Sequence, residues 1–290
     1  MRALIFGADG QLGRALVATA PPGVPVTALS RAQCDITDAA AVDHWVNTLR
    51  ASDLLVINAA AYTAVDRAET ESDLARRINV DGARNIARAT DDFDFEPWLI
   101  HVSTDFVFDG QSGTPYQPNA TPNPLSVYGQ TKRDGEEEVL NHCHMSTVIR
   151  TSWVYAAKGH NFVNTMLRLM RERDEVRVVA DQIGTPTHAA SLARAIWNEK
   201  LLDSGEAIIH WTDAGVASWY DFAVAIQEEA LALGLLQRSV PIIPIATAEY
   251  PTPARRPTFS VLDKSATWAI TGPARHWRHE LIDCLKDLTA

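Results

Sequence analysis

The sequence predicts an α/β fold: a Rossmann-like doubly wound parallel sheet with a smaller mixed α/β C-terminal substrate-binding domain. Three observations carry that expectation. In the first half of the 290 residues, short β-rich runs alternate with longer helical patterns, the order in which βαβ units wind a parallel sheet. A glycine cluster, Gly7-Ala-Asp-Gly10-Gln-Leu-Gly13, follows the first of these runs and opens the first helical stretch. After about residue 150 the pattern loosens and prolines punctuate it, at Pro186, Pro241, Pro244 and through Pro251-Thr-Pro-Ala-Arg-Arg-Pro257.

Taken in order, the apolar runs at residues 3–6, 24–29, 54–57 and 98–102 read as strands, with a fifth at 147–150. Between them, helical spacing covers 12–19, 39–49, a long stretch at 73–89, and 127–140, which Gly129 and Gly135 weaken without excluding. Residues 1–150 then form a dinucleotide-binding domain to which about 187–204 return, and 151–186 with 205–290 form the substrate-binding region. No low-complexity linker separates the halves, so a continuous interface is expected.

Composition narrows the function. Twenty-six Lys and Arg against 36 Asp and Glu give a net charge of −10, which argues against nucleic acid or an anionic membrane as partner. An anionic ligand needs a local cationic pocket. No run of about 18 apolar residues exists, and the opening apolar run is too short for a secretion signal, so a cytoplasmic location is expected. Cys34, Cys143 and Cys284 are odd in number, far apart and without CxxC spacing, which indicates neither a disulfide framework nor a zinc site. His142-Cys143-His144 resembles a metal cluster at a glance, but adjacent residues do not easily converge on one ion; no metal is expected.

The GxxGxxG spacing of Gly7, Gly10 and Gly13 suits a tight turn whose backbone N–H groups approach a pyrophosphate; alone, it also reads as a structural turn. The second strand ends at Leu29-Ser30-Arg31, where an NAD site usually carries an acid for the ribose diol. Ser30 and Arg31 suit a 2′-phosphate instead, against the bland reading of Arg31 as a solvated surface residue. Asp35 and Ile36 are placed to contact adenine, and Ala59, Ala60 and Ala61 after Asn58 keep the third strand end clear for a dinucleotide, although small residues also pack helices.

Tyr128 and Lys132 stand four apart, on one face of a helix. A nearby ammonium is expected to pull the phenol down from about 10 toward neutrality, so that Tyr128 exchanges a proton with a carbonyl or alcohol oxygen. His101-Val-Ser103-Thr104-Asp105 puts hydroxyls at the carboxyl end of the fourth strand, the edge where open α/β sheets bind ligands.

These residues resemble the extended short-chain dehydrogenase/reductase family, and within it the dTDP-4-dehydrorhamnose reductase family. The narrower likeness rests on Asn58-Ala-Ala-Ala-Tyr-Thr-Ala-Val-Asp-Arg-Ala-Glu69, Ser103-Thr-Asp-Phe-Val-Phe-Asp-Gly110, Pro124-Leu-Ser-Val-Tyr-Gly-Gln-Thr-Lys132, Arg150-Thr-Ser-Trp-Val-Tyr155, Asn161-Phe162, Asp181-Gln-Ile-Gly-Thr-Pro-Thr187 and Tyr250-Pro-Thr-Pro-Ala-Arg-Arg-Pro257. The resemblance implies reduction of the C4 keto group of dTDP-4-dehydro-6-deoxy-L-mannose to dTDP-L-rhamnose by NADPH, or NADH. It makes Thr104, Tyr128 and Lys132 catalytic: Thr104 on the C4 oxygen, Tyr128 its proton donor, Lys132 on the nicotinamide ribose. It extends the expected cofactor contacts beyond the glycines, Ser30, Arg31, Asp35, Ile36 and the alanines to Gln11, Leu12, Tyr62, Ser103, Tyr128 and Lys132.

Substrate contacts are expected at Thr63, Val65, Thr104, Asp105, Phe106, Trp153, Asn161 and Arg256. Phe106 stands where that family commonly has Tyr, Trp153 reads equally as plain core, and Arg255 and Arg256 are either diphosphate cations or simply exposed. Some members bind magnesium between subunits through glutamates, and the matching positions here are Ala15 and Ala190. Mg²⁺ is therefore not expected, and a monomer or weak homodimer is. Two rival readings share the fold: another nucleotide-sugar epimerase or dehydratase, although Asp105 is followed by Phe106 where dehydratases place a second carboxylate, and a non-catalytic NADP-binding regulatory subunit, which need not keep Thr104, Tyr128 and Lys132 together.

Overall fold

Apolar runs become strands where both sides of the chain are covered. In the computed structural model, which describes residues 1–91 and 97–289, these are β1 (Arg2–Phe6), β2 (Val26–Leu29), β3 (Leu54–Asn58), β4 (Trp98–Thr104) and β5 (Ser146–Thr151). β3 and β5 are buried at every residue, as strands of a parallel sheet covered on both faces are. β2 starts two residues later than the sequence suggests, because Val24 is spent in a turn, its N–H bonded to the Pro21 carbonyl.

The intervening helices are α1 (Gln11–Ala18) and α2 (Ala39–Thr48), the latter capped by Asp38, whose carboxylate accepts the Ala41 N–H at 3.2 Å. A short α3 (Val65–Ala68) follows β3. The single helix expected over 73–89 is three pieces: α4 (Ser72–Arg76), a π-helical turn (Arg77–Asp81) and α5 (Gly82–Thr90). The wide turn is where Asn79 turns inward, its amide accepting from Tyr62 N–H at 2.8 Å and donating to Tyr62 O at 3.1 Å and Thr131 Oγ1 at 3.0 Å.

α6 (Val127–His142) is capped by Ser126, which accepts from the Gly129 N–H. The two glycines that weaken its helical pattern are points of close approach: a Cβ on Gly129 would lie 2.3 Å from the Phe106 carbonyl oxygen, and one on Gly135 2.2 Å from that of Asn79. They let α6 press against the end of β4 and against the π turn.

The later chain supplies β6 (Val154–Tyr155), α7 (Phe162–Glu172), β7 (Val176–Val179), β8 (Ile183–Gly184), β9 (Thr187–His188), α8 (Ala189–Ile196), α9 (Glu199–Leu202), β10 (Ile208–His210), β11 (Ala217–Ser218), α10 (Trp219–Ala232), β12 (Ile242–Ile245), α11 (Ser265–Thr271) and α12 (Trp277–Lys286). β10 pairs in parallel with β5, so the return to the first layer runs past residue 204 and supplies the sixth strand. The main sheet has the order β10-β5-β4-β3-β1-β2, all parallel. Leu16, Ile57, Ile100, Leu192 and Ile196 fill one of its faces, and Phe6, Leu29, Val46, Ile86 and Val139 the other. A separate core of Val163, Met170, Phe222, Ile226 and Leu281 joins α7, α10 and α12. Strand order reverses between β1 and β3, the point of an open α/β sheet where a crevice opens at the carboxyl ends. No helix among the described residues is long and apolar enough to cross a membrane.

Candidate active site

The crevice at the reversal is built by glycine. Gly7 has φ +85°, a conformation that costs side chains strain, and a Cβ there would lie 2.7 Å from the Ala60 nitrogen. Gly10 stands at the start of α1 with no side-chain cap, leaving the N-terminal donors of that helix for an anion. A cavity of ≈ 220 Å³ gathers Gly7, Gly10, Arg31, Asp35, Ile36 and the three alanines 59–61, together with Asp9, Cys34 and Ile78, which sequence reasoning missed. Leu12 and Gly13 are buried beneath it. Ser30 lends its N–H and its hydroxyl to Gln33 Oε1 at 2.9 and 2.8 Å, while Arg31, 71% exposed, reaches Asp35 Oδ2 at 3.3 Å.

Beyond the cavity, β4 delivers Thr104 and α6 delivers Tyr128 and Lys132. Thr104 Oγ1 accepts from the Phe106 N–H at 3.2 Å and donates to Asp105 Oδ1 at 3.0 Å. The Tyr128 ring meets Phe106 edge to face, centroids 5.6 Å apart, and Val65 and Tyr62 complete the apolar cluster around it. Burial pushes the Tyr128 phenol up to about 12, the Thr104 hydroxyl working against that and the Asp105 carboxylate with it. The expectation that Lys132 draws this phenol toward neutrality is overturned. Its ammonium donates to the Val102 carbonyl at 2.7 Å, and burial pushes Lys132 itself down to about 8, opposed by Glu136. Asp105 is likewise pushed up to about 6 by burial, against hydrogen bonds from the Ser260 and Thr104 hydroxyls.

His101 lies under Lys132, 3.5 Å from its Nζ. The Asn58 amide is oriented by accepting the Ala60 N–H at 3.1 Å, so its Nδ2 donates to His101 Nδ1 at 3.0 Å. The ring therefore carries its proton on Nε2 and offers Lys132 no acceptor. Burial and that ammonium hold it well below the usual histidine range, so it stays neutral.

Other expected contacts are drawn into the protein. Ser103 donates its hydroxyl to Glu136. The Tyr62 hydroxyl donates to Glu71 Oε2 at 2.6 Å. Asn161 caps α7, accepting from Asn164 N–H, and donates to Gln11 Oε1 at 2.8 Å, which sets it against the glycine loop. Arg256 clasps Asp66 at 3.0 and 2.8 Å, while Arg255 is exposed. Thr63 is exposed at the rim. Trp153 is not plain core: it is half-buried with φ +47°, stacked at 3.5 Å on Trp219, a residue that sequence reasoning missed. His142 faces Arg88 and Glu138, His144 faces Asp91, and Cys143 is buried, so the three side chains diverge. Ala15 and Ala190 lie on the packed helices α1 and α8 and bring no oxygen to them.

The whole chain, residues 1–290, matches the family model described as RmlD substrate binding domain. The chain belongs to that family. A relative named dTDP-4-dehydrorhamnose reductase, from Aggregatibacter actinomycetemcomitans, is 42% identical over 90% of each chain. The crystal structure of a Clostridium acetobutylicum dTDP-4-dehydrorhamnose reductase ortholog superposes with a TM-score of 0.91 at 37% identity, covering all of both chains. That of the Bacillus anthracis reductase, in complex with NADP, has a TM-score of 0.90 at 35% identity over 99% of each.

Proposed function

We propose that this RmlD-family chain reduces the C4 keto group of dTDP-4-dehydro-6-deoxy-L-mannose to dTDP-L-rhamnose, with NADPH as hydride donor and NADH as a poorer one. The observation that carries the reading is the meeting of Thr104, Tyr128 and Lys132 at the carboxyl edge of β4, beside the crevice built by the glycine loop, with Tyr128 held as a phenol. The names of the relatives and the NADP in the Bacillus structure support it.

The crevice suits the cofactor: the Gly7 cradle admits backbone but no side chain, and Arg31 offers a guanidinium where an acid would favour NAD. When bound, NADPH supplies the hydride. The chain's own residues do the rest. Tyr128 is protonated throughout the neutral range, which is the state a reduction needs of its acid. Thr104 shifts its hydroxyl from Asp105 to orient the ketone oxygen. Lys132, pinned to the Val102 carbonyl one turn along α6 from Tyr128, is the cation that would hold the nicotinamide ribose. Phe106 packs on the ring and keeps water from it. An elimination reaction would need a second carboxylate after Asp105, and Phe106 stands there.

In this reading residues 1–150 with the returning segment hold the cofactor, the rest of the second half holds the sugar nucleotide, and the chain works as a monomer or weak homodimer. The test is NADPH absorbance in the presence of the 4-keto sugar nucleotide made in situ from dTDP-glucose. Oxidation dependent on the keto sugar supports reduction. Purified protein that retains stoichiometric nicotinamide and leaves NADPH untouched points to an epimerase.

A further inference from the structure

α6 carries a third buried polar side chain on the face that presents Tyr128 and Lys132. Glu136 follows Lys132 by four residues and Tyr128 by eight, so helical spacing stacks the three along one stripe. Its carboxylate accepts the hydroxyl proton of Ser103, the neighbour of Thr104 on β4, and is gripped by Arg150 of β5, through Nη2 at 2.7 Å and Nε at 3.0 and 3.2 Å. Both side chains of the pair are nearly sealed, at 2% and 3% exposure. Arg150 is fixed in turn by the Pro118 carbonyl at 3.0 Å and lies over the Phe108 ring, 5.1 Å from its centroid. Ser103 and Arg150 are register partners across β4 and β5. One carboxylate thus ties the helix bearing Tyr128 and Lys132 to β4, which ends in Thr104, and to its neighbour β5.

We propose that Glu136 is a positioning residue for the reduction, holding α6 in register with the end of β4 and supplying the negative charge that keeps Lys132 an ammonium ion. The proposal rests on the roles given above to Tyr128 and Lys132. Few other groups compete for that effect. From β4, Lys132 is faced by the Val102 carbonyl and the neutral His101 ring; from its own helix, by Tyr128 and Glu136; Asp105 lies past the strand end and Arg150 behind Glu136 on β5. Burial drives Lys132 down to about 8, and Glu136 is the group that opposes it.

Removing the carboxylate alone leaves Arg150 buried without a partner, so E136Q is expected to be poorly stable; E136Q/R150M removes both charges and restores the fold. Three quantities are measured on wild type and the double variant: urea midpoint, the pH dependence of NADPH binding by fluorescence, and the pH dependence of kcat/KM. The expected result is a midpoint near that of wild type, a loss of about tenfold or more in kcat/KM, and alkaline limbs of both binding and kcat/KM displaced to lower pH. A merely structural Glu136 would leave the limbs of the stable double variant where they are in wild type. A stable double variant with wild-type limbs overturns the proposal. If wild type binds NADPH but does not reduce the keto sugar, the functional reading fails, and the binding limb still decides the role of Glu136.

Discussion

The Asn161 side chain donates to Gln11 Oε1 at 2.8 Å, tying the first residue of the helix behind the glycine loop to the cap of α7 in the second half of the chain. The oxygen of the same side chain, Asn161 Oδ1, caps α7 by accepting the Asn164 N–H at 3.0 Å. Asn161→Ala removes a cap worth about 1 kcal/mol and the bridge together. KM for NADPH and for the sugar nucleotide are both expected to rise, with a small fall in thermal midpoint; steady-state kinetics and a melting curve check it. A rise in the sugar KM alone would show that the bridge does not order the cofactor loop.

Tyr128→Phe keeps the ring that packs on Phe106 and deletes the proton donor. NADPH affinity should stay within about twofold while turnover falls by about 10²–10⁴. Turnover near wild type would remove Tyr128 as the acid.

Asp105 carries a cost in stability that the site accepts. Burial raises its carboxyl to about 6, from 3.8. A group raised in the folded state favours folding fully below its unfolded value and loses that contribution as pH climbs through the folded one. Asp105→Asn should therefore stabilise the protein at pH 7.5 by up to about 3 kcal/mol, with the gain shrinking as pH falls from 6 toward 4. Activity should drop in the same variant, because Thr104 is oriented by that carboxylate. Urea titrations at several pH values check it; a gain that does not vary with pH would contradict the assignment.

Arg31 is exposed and only loosely paired with Asp35, so it is available to a 2′-phosphate. Arg31→Glu should weaken NADPH binding by tenfold or more and leave NADH binding unchanged or improved. Equal losses for both cofactors would make Arg31 a general contact without selectivity.

The strands and the two ends of the site were legible because they depend on local pattern. Continuous apolar runs became β1 and β3, and the spacing of Tyr128 and Lys132 survived intact on α6. What escaped depends on partners distant in the chain. The π turn has no signature in apolar spacing; it exists because Asn79 reaches Tyr62 and Thr131. Trp219 gains its place only by stacking on Trp153, and Cys34 and Ile78 meet the crevice only through the winding of the sheet. Glu136 could have been found, since it continues the Tyr128 and Lys132 stripe by one more interval of four. The direction of the Tyr128 shift could not: spacing shows that a cation is near, whereas the deciding effect, burial, is a property of the packed molecule.

The central claim is transfer of hydride to C4 with the proton coming from Tyr128. It is tested most directly by incubating the protein with NADPH deuterated at the transferring position and the 4-keto sugar nucleotide, then reading the product by NMR. The expected product is dTDP-L-rhamnose with one deuterium at C4, formed with one NADPH consumed per product, at a rate lowered by about 10²–10⁴ in Tyr128→Phe. Unconsumed NADPH, or a product with hydrogen at C4 drawn from water, would contradict it.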